Sequence, residues 1–129
     1  MDARELLNET LKQELKQELK QDQFIFAFNY MSKETNENAR VKGFWEGEQN
    51  EGEKICLMHS ELSECLDALR HGNPPDNHIP EFSGLEAELA DTVIRIMDFA
   101  YQKKLRLPEA IIAKHEYNKN RPYKHNKKF

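Results

Sequence analysis

Residues 53–71 read EKICLMHSELSECLDALRH, and residues 84–104 read GLEAELADTVIRIMDFAYQKK. In the first stretch Ile55, Met58, Leu62, Cys65, Leu66 and Leu69 recur at spacings of three and four, the repeat of a helix with one face in a core. In the second, Leu85, Leu89, Val93, Ile96 and Ala100 cover one flank, while Ala87, Ala90, Ile94, Met97 and Tyr101 cover the other. Between the flanks runs a narrow polar strip of Glu88, Asp91, Arg95 and Asp98. A helix apolar on both flanks is expected to be buried on both, so its strip should face a cavity or a polar partner rather than open water. Two such helices place the chain in the all-α class.

The segments outward from this pair agree. Gly72 followed by Asn73-Pro74-Pro75 stops the first helix, and Ser83 with Glu86 three residues later is a capping box for the second. Upstream, residues 43–52 (GFWEGEQNEG) form a loop carrying two aromatic residues, Phe44 and Trp45. Residues 22–42 read as a helix, with Phe24, Ala27, Phe28 and Met31 on one stripe and Gly43 at its end. Residues 4–21 repeat leucine every fourth position, at Leu7, Leu11, Leu15 and Leu19. That repeat drifts by about 40° per step around a helix, so it predicts an amphipathic extension over residues 1–21 rather than a coiled-coil seam. Downstream, Leu107-Pro108-Glu109 opens a last helix that reaches about Asn120 and is stopped by Pro122. The expectation is a bundle of four to five helices, with the extension at 1–21 and one functional domain over 22–129.

Bulk properties narrow the function classes. The chain has 129 residues, a net charge of −4 and no apolar run long enough to span a membrane. Its N-terminus lacks an apolar signal core, which predicts a cytoplasmic protein with Cys56 and Cys65 both reduced. On one helix these cysteines would lie roughly 13 Å apart, too far to bridge. The charge is uneven: Lys114, Lys119, Arg121, Lys124, Lys127 and Lys128 stand against Glu116 alone. Such an end can be a solvated tail, a nucleic-acid arm or a phosphate clamp. An acidic chain without a DNA-reading motif makes nucleic acid an unexpected partner.

The acids carry the chemistry. Glu61 and Glu64 lie about 60° apart on one helical face, and Glu88 and Asp91 repeat the arrangement on the next helix. Pairing with Arg95 and nearby lysines would account for one such pair. Two pairs among apolar residues repel one another unless a cation sits between them. Oxygen-only ligands select hard cations, so Mg²⁺, or Mn²⁺ in its place, is expected. A di-iron bundle would want Glu-x-x-His pairs, and neither pair has a histidine at its third step; His59 sits on another face. Hard cations neutralise phosphate oxygens. An aromatic wall at Phe44 and Trp45, with basic clamps from residues 114–125, would complete a site for a nucleoside polyphosphate.

Three blocks in order, KGFWEGEQNEGEKICLMHSELSECLDALRHG, EFSGLEAELADTVIRIMDFA and AKHEYNKNRPYKHNKKF, resemble the MazG-like proteins of the all-α nucleoside triphosphate pyrophosphohydrolase superfamily. The resemblance covers about residues 36–129 and omits the leucine repeat. It rests on E-x-x-E followed by E-x-x-D, here Glu61, Glu64, Glu88 and Asp91. The resemblance implies a homodimer or homotetramer and Mg²⁺-dependent cleavage of an NTP or dNTP between the α and β phosphates. The four acids would be the metal ligands, with Glu61 and Glu64 also catalytic. It further implies substrate contacts from Lys114, Asn118, Arg121 and Tyr123, with Lys114 and Arg121 at the phosphates, and from Asn38, Lys42 and Trp45 at the base and sugar. Arg95 and Asp98 would act around the metal. Two other readings compete: a non-enzymatic helical oligomerisation module whose basic tail binds a polyanion, and a hydrolase of an alarmone or another phosphorylated metabolite.

Overall fold

The computed structural model describes Met1–Phe129 and contains four α-helices and no strand. They are α1 (Ala3–Val41), α2 (Glu51–Arg70), α3 (Gly84–Gln102) and α4 (Leu107–Lys119), followed by a 3₁₀ turn at Tyr123–Asn126. The all-α expectation therefore holds, and both acid helices fall within a few residues of their predicted bounds. No helix is long and apolar enough to cross a membrane. The chain forms two compact units: one comprises Met1–Tyr30 with Arg106–Phe129, the other Met31–Leu105.

The unit 31–105 is built on the antiparallel pair α2 and α3. Asn50 caps α2 by accepting from the Glu53 N–H at 3.1 Å, and Glu51 and Glu53 suit the positive end of the helix dipole. At the other end Asn73 N–H reaches Ala68 C=O at 2.7 Å and Gly72 N–H reaches Leu69 C=O at 3.2 Å. This is a Schellman turn, and it places Gly72 at φ +79°, where a side chain would strain. The predicted capping box opens α3: Ser83 Oγ accepts from Glu86 N–H, and the Glu86 carboxylate accepts from Ser83 N–H.

Gly84 sets how closely the acid helices approach. A Cβ there would meet the Ala68 Cβ at 3.2 Å and the Pro74 carbonyl at 3.3 Å. The Gly84 N–H donates to that same carbonyl at 2.8 Å, and Asn73 Oδ1 accepts from Leu85 N–H at 2.8 Å. The start of α3 is thus stitched to the end of α2, which fixes the axial register of the two acid pairs.

The end of α1 is tied to α3 by a buried amide. Asn36, 1 % exposed, donates to Asp98 Oδ1 and to Gln102 Oε1, each at 2.9 Å. Removing it orphans acceptors on α3, a loss on the order of 2 kcal/mol. Asn36→Ala should therefore lower the denaturant midpoint with an unchanged slope. A loss below about 0.5 kcal/mol, the range of ordinary surface substitutions, would show that this tie contributes little.

Two expectations are modified. The chain does not break between the leucine repeat and residue 22: α1 runs through both as one helix, because neither Gly nor Pro interrupts its run of good helix formers. Its leucines are largely exposed, from 48 % at Leu11 to 64 % at Leu15, so they are not laid on a core. Second, α3 is not covered on both flanks in the single chain. Ala87 and Ala100 are buried, whereas Leu89 and Val93 are 45 % and 46 % exposed. α3 packs on α2 and, near its C-terminal end, on the end of α1, which leaves the stretch at Leu89 and Val93 bare.

In the unit formed by 1–30 and 106–129, Pro108 is buried in the first turn of α4, as predicted for that position. Beyond α4, Lys124, His125 and Asn126 all take φ between 51° and 59°, a left-handed turn without glycine.

Candidate functional site

Glu61 lies one helical turn before Cys65 on the buried face of α2 and is 7 % exposed. Its Oε1 accepts from Arg95 Nε of α3 at 2.8 Å. Glu88 and Asp91 come from the facing turn of α3. Carboxylate oxygens of Glu61, Glu88 and Asp91 all lie within 4.8 Å of one another. The structure thus brings together three of the four acids of the two predicted pairs. Glu64 is exposed and stands beside Glu88, outside this compact trio.

The electrostatics follow from that crowding. Glu88 Oε2 is buried and has no hydrogen-bond partner. Burial first, then the adjacent Glu64 carboxyl, then Glu61 and Asp91, push the Glu88 carboxyl up to about 7. Asp91 is also raised, by burial and by Glu61, with Arg95 opposing. The floor is apolar: Cys65 is 6 % exposed, and burial and Glu88 together push its thiol up. Both cysteines are free thiols, as the sequence predicts. One guanidinium cannot neutralise three carboxylates, and an unpartnered buried oxygen is costly. An oxygen-only, anionic donor set with one orphaned acceptor fits a hard cation, so this cluster can hold a metal ion.

Glu61 and Asp91 border a cavity of about 270 Å³ lined wholly by residues of the 31–105 unit; Glu88 lies outside its lining. Glu61, Asp91 and Arg95 line it together with Phe44, Trp45 and Phe99. Three of the four strip residues of α3, Asp91, Arg95 and Asp98, face the cavity, and Glu88 does not. Trp45 is fixed on several sides. Its Nε1 donates to Asp98 Oδ1 at 2.9 Å, and Lys54 Nζ sits 4.2 Å from its ring centroid. Lys54 Nζ also donates to the Phe44 carbonyl at 2.8 Å, which clamps the 43–45 turn to α2.

The remaining candidates divide. Asn38, Trp45, Arg95 and Asp98 line the cavity, whereas Lys42 is exposed and does not. Asp98 is not part of the compact acid trio: its Oδ1 is taken by Trp45 and Asn36. Lys114, Asn118, Arg121 and Tyr123 belong to the other unit, and none lines the cavity. There Lys114 and Arg121 approach the Tyr117 ring at 4.9 Å and 5.7 Å, while Tyr123 is 87 % exposed. Desolvation, then Arg121, Lys127 and Lys114, hold His125 below the usual imidazole range, so these cations are clustered.

Two residues of the site went unread in the sequence. Asn36 lies within the polar run SKETNENARVK, where nothing separates a buried amide from a solvated one. Lys54 has the look of a surface lysine in the first turn of α2, and only the turn of 43–45 back onto it reveals its role. Comparison with family models, with curated proteins and with solved structures returned no match.

Proposed function

We propose that the cavity in the 31–105 unit is the active site of a Mg²⁺-dependent nucleoside triphosphate pyrophosphohydrolase of the MazG-like kind. The observation that carries this reading is that Glu61 and Asp91, two members of a cation-ready acid trio, line the same cavity as the aromatic residues Phe44 and Trp45. A polyphosphate needs the first, and a nucleobase needs the second.

Glu61, Glu88 and Asp91 would hold the cation, with Mn²⁺ an alternative to Mg²⁺. When bound there, it supplies Lewis-acid stabilisation of charge on the phosphate oxygens. Arg95 orients Glu61 through its Nε and has further N–H donors for a phosphate oxygen. Glu64 is the acid best suited to accept the proton of the attacking water, since it stands outside the trio and no cation pairs with it. Water oxygen bonds to the α phosphorus, the bond to the β-phosphate oxygen breaks, and the products are a nucleoside monophosphate and pyrophosphate. Phe44, Trp45 and Asn38 would border the base and sugar.

One further element belongs to this reading. The bare flank of α3 at Leu89 and Val93, with Leu62, Leu66 and Leu69 of α2 also largely exposed, suits burial in a homodimer or homotetramer. The 106–129 segment carries its own cationic cluster around Lys114 and Arg121. That same cluster favours the second reading, a helical module that binds a polyanion through its basic end. A cytoplasmic location agrees with the free thiols but is not needed for either.

The test is a panel of NTPs and dNTPs, modified bases included, incubated with protein and Mg²⁺ and assayed for monophosphate and pyrophosphate. Turnover of at least one nucleotide is the expected result. Absence of turnover on all of them, together with salt-sensitive polyanion binding lost on deletion of 119–129, would favour the second reading.

A further inference from the structure

Asp98 is bonded asymmetrically. Both of its side-chain hydrogen bonds, from Trp45 Nε1 and from Asn36 Nδ2, arrive at Oδ1 at 2.9 Å. No donor reaches Oδ2, and no lysine or arginine pairs with this carboxylate, although Asp98 is only partly buried and lies on the cavity wall. The two cations that line the cavity are already engaged, Lys54 with the Phe44 carbonyl and the Trp45 ring and Arg95 with Glu61. One oxygen therefore organises the aromatic wall, and the other is an acceptor without a donor at the aromatic end of the cavity.

From this asymmetry we infer that Asp98 selects the base: the cavity takes a nucleotide whose ring presents an exocyclic amino group, of adenine, cytosine or guanine type, over one of uracil or thymine type. The inference rests on reading the cavity as a nucleotide site. A carboxylate oxygen only accepts, so it matches an amino N–H. Uracil and thymine offer a ring N–H between two carbonyls, and those carbonyls face the carboxylate with like partial charge. A site built to hydrogen-bond one group discriminates strongly against an analogue that leaves it unpaired. The Trp45 bond fixes the wall and Oδ1 together, so Oδ2 is held in register with a ring lying against the indole. The wall and the edge-reading acceptor are then set by one residue.

Trp45 is the only tryptophan in the chain, so tryptophan fluorescence reports on the wall of this cavity. The experiment titrates the full-length protein in Mg²⁺ with α,β-imido deoxynucleoside triphosphates of adenine, cytosine, guanine, uracil and thymine, which cannot be cleaved at that bond. The wild type is expected to bind the best amino-bearing analogue on the order of tenfold tighter than the uracil and thymine analogues. Asp98→Asn should reverse or abolish that ranking. Its amide oxygen must stay toward Trp45 and Asn36, which turns its NH₂ toward the cavity as a donor. Equal affinities across the analogues, or a ranking untouched by Asp98→Asn, would overturn the inference and leave the nucleotide site standing. Silence of Trp45 and of calorimetry with every analogue would overturn both. The wild-type ranking alone decides the matter if the variant is unstable.

Discussion

Glu61→Gln is expected to reduce Mg²⁺-dependent pyrophosphate release by a factor on the order of 10³ or more, with the helical circular dichroism signal unchanged. The substitution is nearly isosteric. Its amide oxygen can still accept from Arg95 Nε, so the contact of 2.8 Å survives as a hydrogen bond to a neutral group. What is lost is one of the negative charges that make the trio a cation site. The same loss has a second consequence: Glu88 no longer faces a charged Glu61, so the cation-free variant should be more stable than wild type at pH 8. Activity and stability therefore move in opposite directions, as expected where an active site stores repulsion. Retention of more than a tenth of the activity would remove Glu61 from the metal-holding set. Loss of helicity in the cation-free variant would instead make it a structural acid, chiefly the partner of Arg95.

Removing or supplying the cation should have a comparably large effect on stability, with a sign set by Glu88. An ordinary glutamate titrates near 4.5, whereas Glu88 in the fold is raised to about 7. Between these values the folded protein holds a proton that the unfolded chain has released. Stability without a divalent cation should therefore be greatest below about pH 4.5 at this site and fall as pH rises through about 7. Asp91 is raised as well and adds a fall of the same sign. The groups facing this pair are Glu61, Glu64 and Arg95, with Asp76 and His78 acting on Asp91 from the 72–83 loop. His125, held low by desolvation and by its cationic neighbours, carries the opposite sign, but it is only partly buried and is screened by solvent.

Mg²⁺ or Mn²⁺ must displace that proton, so it should stabilise the protein at pH 8 and scarcely at pH 5. At a concentration a hundred times the dissociation constant the gain is about 2.7 kcal/mol. For a chain of this size that corresponds to a rise in Tm on the order of 10 °C. Thermal melts at the two pH values, with EDTA and with each cation, measure this directly. An unchanged Tm at pH 8 on saturation with either cation would rule out the trio as a metal site. Stability that climbs steadily from pH 5 to pH 8 in EDTA would contradict the raised Glu88.

The helices were legible because periodicity and capping are local. Ser83 and Glu86 mark the start of α3 whatever lies around them, and Gly72 marks the end of α2. The strip of Glu88, Asp91, Arg95 and Asp98 was legible for the same reason, since about 100° per residue places a side chain on a face without knowledge of its neighbours. Which of the acids act together was not legible. Glu64 and Glu61 look equivalent at i and i+3, yet Glu61 is buried against Arg95 while Glu64 is exposed beside Glu88. The axial register of α2 on α3, fixed by the Gly84 contact, makes that distinction.

The amino-acid sequence by itself determined the class of the fold, the places where its helices begin and end, and the inward acid strip, because each depends on interactions within a turn or two of chain. Tertiary structure alone decided which three carboxylates share a space, that Arg95 joins them, and that Asp98 faces Trp45 and Asn36 instead of joining the trio. Those outcomes depend on groups distant in sequence meeting at hydrogen-bond range, Asn36 and Asp98 being 62 residues apart. No local pattern encodes such a meeting, and the burial that raises Glu88 exists only once α2 and α3 have packed.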